Sequence, residues 1–404
     1  MRRTDIPPLV MQTPKHIHNA VAHALRSIGA GLITPQVRAA KEILVGLLRD
    51  NTPILNHLNT SGSVRVSKQA ERYRRHLENI DITEVVEERI LRTLPKVEED
   101  TVISYDLGDI AKPHSKKMEG MSGIFDGSKR RPGVGYVLHG VCIHNQPVIM
   151  ELHDADAKFL PQVRKEVIAR VSKKVGTNGI WVYDRQNDDK KLFRSHVRRK
   201  QRFVIRLKKN RKLRHVESGM VQYTADFLPG IYDVRVLGQR YKYILVVYKH
   251  HKHNDPIRVL VRGVDVETAE DITNAYLVRW DIENLYKQMK EKFQLEKIRL
   301  LSWKKLKNLL ALIQLATSIS NKTFAEMTGQ TEDTTTNFEL TVTFTAFCHH
   351  RSLTSNRFAF TSFLSEYAPG FQPRTKEGNP LQRTLLPRQE IRRLERESAE
   401  MGVF

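Results

Sequence analysis

Residues 180–184 read IWVYD. Four consecutive large apolar or aromatic residues leave no alternation between core and solvent, so the run is a strand of the buried type that ends on Asp184. Gly176 and Gly179 break the chain just before it. FLPQVRKEVIARVSKKVG (159–176) comes before that break and has a helical pattern from Val163, with Val167, Ile168 and Val171 on one side. After the strand, DDKKLFRSHVRRKQ (188–201) reads as a basic helix and RFVIRLKK (202–209) returns as a strand.

Further upstream, TVISYD (101–106) is a short β-rich run ending on Asp106. GYVLHGVCIH (135–144) and PVIMELHD (147–154) are two more, joined by the turn residues Asn145–Pro147. The order is strand, strand, strand, helix, strand, helix, strand, which predicts an α/β fold with a mixed sheet flanked by helices. Downstream, 209–263 holds further strand-like runs, YKYILVVYKH and IRVLVRG, and reads as a β-rich insertion. His250, His251 and His253 lie beside Asn254-Asp255-Pro256, where a hairpin loop is favoured over a metal site. Cys348-His349-His350 has no partner pair at ligand spacing.

Helix signals return at Thr268, a cap candidate with Asp271, and the pattern predicts one helix through to about Phe293. At about 100° per residue, Tyr276, Arg279, Glu283 and Lys290 share a stripe about 60° wide. Val278, Ile282, Leu285, Met289 and Phe293 form the apolar stripe. KKLKNLLALIQLATSIS (304–320) is another amphipathic helix. Residues 15–95 read as helices, and VSKQAERYRRHLENI (66–80) sets Lys68, Arg72, Arg74 and Arg75 around Tyr73 and Leu77. This basic face is a candidate for docking on DNA.

The chain has 404 residues with 67 Lys plus Arg against 45 acidic residues, a formal charge of +22. That excess is spread along the chain and favours a polyanionic partner, most often nucleic acid. There is no apolar run of about 18 residues and no signal-peptide h-region, so no membrane partner is expected. The two cysteines, Cys142 and Cys348, form no CxxC pair and fit a reducing cytoplasmic compartment, where a DNA-binding chain is expected to be nucleoid-associated.

Three acids stand out by position: Asp106 and Asp184 at strand ends, and Glu283 on the polar stripe. Strand ends lie at the sheet rim, where α/β sites usually form. Converging carboxylates repel unless a cation neutralises them, and oxygen-only ligation suits Mg²⁺ or Mn²⁺. Two such ions could activate water and stabilise the leaving oxygen of a phosphodiester. Each acid alone has a plainer reading. Asp109 could replace Asp106, which is preferred because it directly ends its strand. Asp184 could pair with Arg185, and Glu283 with Lys287 or Lys290.

Tyr276-x2-Arg279-x3-Glu283-x6-Lys290 resembles the Y-R-E-K signature of the DDE insertion-sequence transposases in the group named after insertion sequence four. Tyr183-Asp184-Arg185 looks like that group's second-acid motif, and Tyr105-Asp106-Leu107-Gly108-Asp109-Ile110 with Lys112 is similar to its first-acid region. Gln186-Asn187 departs from the pattern, since many members have a small residue or glycine there. The resemblance covers about 100–315 and implies a ribonuclease H-like catalytic core with a β-rich insertion. It also implies metal-dependent cut-and-paste transposition through paired element ends in a homodimer. Asp106, Asp184 and Glu283 would hold metal, while Tyr276, Arg279 and Lys290 would meet DNA near the cleaved end. Double-stranded DNA, as terminal inverted repeats and as target, is the expected partner, with Arg185, Lys68, Arg72 and Arg75 as further contacts. Other functions open to this fold are a repurposed DNA-binding protein and a structure-specific nuclease. The expected division is a helical DNA-end-binding region at 1–97, first core part at 98–208, insertion at 209–263, second core part at 264–328 and helical tail at 329–404.

Overall fold

The computed structural model describes residues 8–58, 65–126, 129, 131–249, 255–266 and 268–328. The His250–His253 cluster, the Cys348-His349-His350 cluster and the tail from 329 lie outside the described residues. No helix among the described residues is long and apolar enough to cross a membrane. The described chain divides into two compact units. One takes the described residues up to Arg92, Ile110–Met121 and those from Leu285 on; the other takes Thr93–Asp109 and Ser122–Asn284.

The first unit is helical. Helices α1 (Pro8–Ile28), α2 (Thr34–Asp50), α3 (Val66–Asn79) and α4 (Thr83–Thr93) come first in the chain. α9 (Trp303–Thr328) packs against α1, α2 and α3. Its interior is apolar almost all round, with Leu306, Leu309, Leu312, Ile313 and Ala316 buried, as a helix enclosed by others must be. Asn308, 2% exposed, is one of several polar residues buried along it. Its Nδ2 donates to the carbonyls of Leu77 and Ile80, and its Oδ1 accepts from Ile82 N, so one side chain satisfies the whole α3–α4 connection.

The second unit is built on a mixed sheet. Its strands are β1 (Val102–Ala111), β2 (Ser122–Asp126), β3 (Arg131–Ile143), β4 (Gln146–Leu152), β5 (Ile180–Tyr183), β6 (Arg202–Arg206), β7 (Lys212–His215), β8 (Val221–Tyr223), β9 (Gly230–Val236), β10 (Lys242–Tyr248) and β11 (Ile257–Arg262). The order is β2-β3-β1-β5-β6-β11-β10-β9-β7-β8, with β4 on β3. β5 is parallel to both β1 and β6, with α5 (Leu160–Val175) and α6 (Lys190–Arg198) as the connections. The sequence pattern does not reveal β2, because only Ile124 and Asp126 of its five residues are buried. The residues after β6 add antiparallel strands to the same sheet, since β11 pairs directly with β6.

Two expectations need correction. Strand β1 does not end on Asp106. It runs on to Ala111, and what stops at Tyr105 is its pairing with β5. The expected single helix over 268–293 is two helices, α7 (Ala269–Leu277) and α8 (Trp280–Lys292), with a turn at Val278–Arg279. Ile272, Thr273 and Tyr276 are buried on α7, whereas Ile282, Leu285, Tyr286 and Met289 are buried on α8. On one unbroken helix those faces would point roughly 140° apart. The break lets both be buried, and it leaves Val278, assigned to the apolar stripe, 43% exposed. Thr268 does cap α7, its Oγ1 accepting from Asp271 N at 3.1 Å.

Candidate active site at the strand rim

Tyr105 and Tyr183 are register partners at the end of the β1–β5 pairing, so Asp106 and Asp184 follow them side by side on adjacent parallel strands. Successive strand residues face opposite ways. The two tyrosines are buried on one face, their rings 5.5 Å apart, and their hydroxyls meet buried histidines. Tyr105 Oη lies 2.6 Å from His139 Nδ1 and Tyr183 Oη 2.8 Å from His196 Nε2. Burial pushes both imidazoles down to about 3, so they stay neutral. The acids point to the other face, where Val182, Val204, Ile272 and Tyr276 form a core cluster beneath α7. By the same alternation Asp109, three residues along β1, falls on the face opposite Asp106.

Asp106 is 13% exposed at its side chain. Its carboxylate accepts from Leu107 N at 2.9 Å and from Arg279 Nη1 at 2.9 Å. Burial, then the negative charge of Asp184, pushes its pKa up to about 7 against the pull of Arg279. Asp184 Oδ1 accepts from Gln186 N and from Asn187 Nδ2, both at 2.9 Å. Glu283, 45% exposed, reaches in from the first turn of α8, and its Oε1 meets Arg279 Nη2 at 2.6 Å. Glu283 therefore pairs with Arg279, four residues before it, a partner that the sequence reading did not offer.

Arg279 differs most from its expected place on a polar stripe. Its side chain is 5% exposed, and its guanidinium lies 5.5 Å from the centre of the Tyr276 ring. Tyr276 is 1% exposed, with a hydroxyl that has no hydrogen-bond partner. The helix break places Arg279 so that its planar fork spans two carboxylates. Lys290 is half-buried further along α8, in the portion assigned to the other unit. Lys112, 5% exposed, donates to the carbonyls of Leu295, Glu296 and Ile298, and burial lowers its pKa to about 8.

Asn187 is a residue at the candidate site that sequence reasoning missed, although Gln186-Asn187 stood out as the departure from the family pattern. It is 2% exposed; its Nδ2 holds Asp184, and its Oδ1 accepts from Arg164 Nη1 at 3.0 Å. Arg164 in turn pairs with Asp189 at 2.6 Å. Beyond this chain opens a cavity of about 710 Å³ lined by Tyr105, Arg164, Lys191, Arg194, Lys208 and Arg211, among others. A second, of about 450 Å³, shares Gln186 and Lys208 and adds Arg185 and Lys209. Asp188 and Asp189 are taken up by Arg211 and Arg164, so the exposed Arg185, Lys191, Arg194 and Lys208 leave the rim strongly positive.

The remaining basic candidates lie on α3. Lys68 and Arg75 are exposed, whereas Arg72 pairs with Glu42, which also accepts from Tyr73 Oη. Among the described residues no group of three or more His, Cys, Asp or Glu side chains has a metal-holding arrangement. The donor chemistry still fits a hard divalent cation. All the groups are carboxylate oxygens, and Asp106 and Asp184 interact strongly enough to raise the pKa of Asp106. Arg279 supplies the positive charge between Asp106 and Glu283.

No curated protein matches the chain in sequence. A solved structure described as a cryo-EM structure of piggyBac transposase synaptic complex with hairpin DNA aligns at a TM-score of 0.48 and 12% identity, over 96% of this chain and 92% of that one. Residues 97–319, more than half of the chain and the span that carries Asp106, Asp184 and Glu283, match the family described as the transposase DDE domain. The chain belongs to the transposase DDE domain family.

Proposed function

We propose that the protein is a DNA transposase that cleaves phosphodiesters at the ends of a mobile element and joins them to a target by cut-and-paste, as a homodimer on paired ends. The observation that carries this is the emergence of Asp106 and Asp184 side by side from adjacent parallel strands, with Glu283 tied to Asp106 through Arg279, inside the family's matched span. A β2–β3–β4 antiparallel set beside β1, followed by β5 and β6 parallel to β1 with α5 and α6 between them, supports a ribonuclease H-like core. The spacing of Tyr276, Arg279, Glu283 and Lys290 supports membership of the Y-R-E-K group.

Asp106, Asp184 and Glu283 would hold Mg²⁺ or Mn²⁺, as one or two ions. Bound there, the cations supply Lewis acidity that activates water and stabilises the leaving oxygen. The chain's own groups do the rest. Asn187 and the Gln186 amide fix Asp184, and the Tyr105–His139 and Tyr183–His196 pairs fix the strand ends. The positive rim at Arg185, Lys191, Arg194 and Lys208 receives the DNA backbone and brings a strand to the acids. Lys68 and Arg75 on α3 also contact the element end.

The test is Asp184→Asn assayed on DNA carrying the element's ends with Mg²⁺ present. End cleavage and strand transfer should both vanish while end binding stays nearly intact. Cleavage at the wild-type rate would refute the assignment. Cleavage without strand transfer in the wild-type protein would make it a nuclease on the same core.

A further inference from the structure

We propose that Arg279 is the built-in counter-cation of the acid cluster, and that it and a divalent metal ion are alternative partners of Asp106 and Glu283. The inference rests on Asp106, Asp184 and Glu283 being the cation ligands, and it goes beyond that reading to say how the site changes state. Arg279 bonds Asp106 through Nη1 at 2.9 Å and Glu283 through Nη2 at 2.6 Å. Asp184 is held separately, by Gln186 N and Asn187 Nδ2. One ligand is therefore preset, while Oδ2 of Asp106 and Oε1 of Glu283 each face a guanidinium N–H. A lone pair that accepts from a guanidinium is not open to a metal ion, and a cation brought beside the guanidinium meets its positive charge.

The local structure suits a group that changes partner. Arg279 stands in the turn between α7 and α8, so its side chain can swing without unwinding either helix. It is not fully committed where it lies. Its Nε has no hydrogen-bond partner, and its face rests on the Tyr276 ring. Without metal, the guanidinium offsets the repulsion among three carboxylates. With metal, that offset passes to the ion, and an arginine is released at the acid rim, where its fork matches phosphate oxygens. Cation loading and DNA grip thus become one event: the side chain that guards the empty ligands is the one that later holds the strand.

The experiment uses the full chain without DNA and Mn²⁺ alone as the probe. Mn²⁺ binding is followed by electron paramagnetic resonance, and Arg279 accessibility by phenylglyoxal modification and peptide mass spectrometry. In the wild-type protein with EDTA, the Arg279 peptide should be protected. Saturating Mn²⁺ should raise its modification rate at least about tenfold. Arg279→Gln should bind Mn²⁺ more tightly by about tenfold, equivalent to ~1.4 kcal/mol. Arg279→Lys keeps the charge but replaces the planar two-nitrogen fork with one shorter-reaching ammonium, so it should hold the two carboxylates less well and also bind Mn²⁺ more tightly than wild type. Lys287→Gln removes an exposed charge one turn beyond Glu283 on α8 and should bind like wild type. The proposal is overturned if Mn²⁺ binds to the wild-type protein while Arg279 stays protected. It is equally overturned if Arg279→Lys binds no tighter, or if Lys287→Gln gains as much as Arg279→Gln. In those cases the cation site itself stands. If the wild-type protein binds no Mn²⁺ at millimolar concentration, or Asp184→Asn binds it as tightly as wild type, the ligand assignment fails and the proposal falls with it.

Discussion

At the scale of single residues, the site depends on groups that carry no charge. Asn187 connects Asp184 to Arg164 with two hydrogen bonds from one buried amide. Asn187→Ala would leave Asp184 with only the Gln186 amide, and would strip Arg164 of one acceptor. Supporting contacts of this kind typically change metal affinity or activity by about 10–100-fold. End cleavage should fall within that range, and Mn²⁺ affinity should fall with it, because the effect passes through Asp184. Unchanged Mn²⁺ affinity would assign Asn187 to the architecture of the loop alone. Asp106, Asp184 and Glu283 can be singled out as candidates from the sequence, two at the ends of apolar runs and one on a helix face, although β1 in fact runs on past Asp106. The pairing of Arg279 with Asp106 is not legible, because the partners are 173 residues apart and only the fold joins them. Local spacing suggested instead that Glu283 would pair within its own helix.

At the scale of elements, the sequence conveys periodicity well and direction poorly. Strands β5, β6, β10 and β11 are readable because each is built around a run of three or more apolar residues. The α7–α8 break was not, because no Gly or Pro marks it and either half alone has a sound helical pattern. What breaks the helix is tertiary: two buried faces that a single helix could not satisfy together. A similar hidden constraint joins α9 to the α3–α4 connection through Asn308. Asn308→Leu keeps approximate size but leaves Leu77 O, Ile80 O and Ile82 N without that partner in a buried setting. Unsatisfied buried groups cost about 1–3 kcal/mol each, with partial relief from water, so a loss of about 2–4 kcal/mol is expected. Chemical denaturation followed by far-UV circular dichroism measures it. A loss below about 0.5 kcal/mol, the level of an ordinary surface change, would mean the connection is held by packing alone.

At the scale of the whole molecule, the charge of +22 becomes a quantitative statement about DNA. Each phosphate neutralised contributes about −0.9 to the slope of log K against log salt on duplex DNA. Lys208 and Arg194 are exposed on the rim cavity and make no ion pair among the described residues, so they are available for such contacts. Lys208→Gln with Arg194→Gln should make the slope shallower by roughly 2 if both meet phosphates. Arg72→Gln should behave differently. Its guanidinium is taken by Glu42, so the loss should appear as lowered stability with little change in slope. The N-terminal helices need the same care. Removing residues 1–95 to test end recognition would strip α9 of α1, α2 and α3, and so expose its buried leucines. Charge substitution leaves that packing whole. Lys68→Gln with Arg75→Gln changes only exposed side chains of α3, so any loss of preference for element ends over random duplex belongs to recognition. A uniform loss on both DNAs, with the slope reduced, would make α3 a backbone contact. No loss on either would remove α3 from the DNA-binding surface and leave the rim beside Asp184 as the principal site of contact.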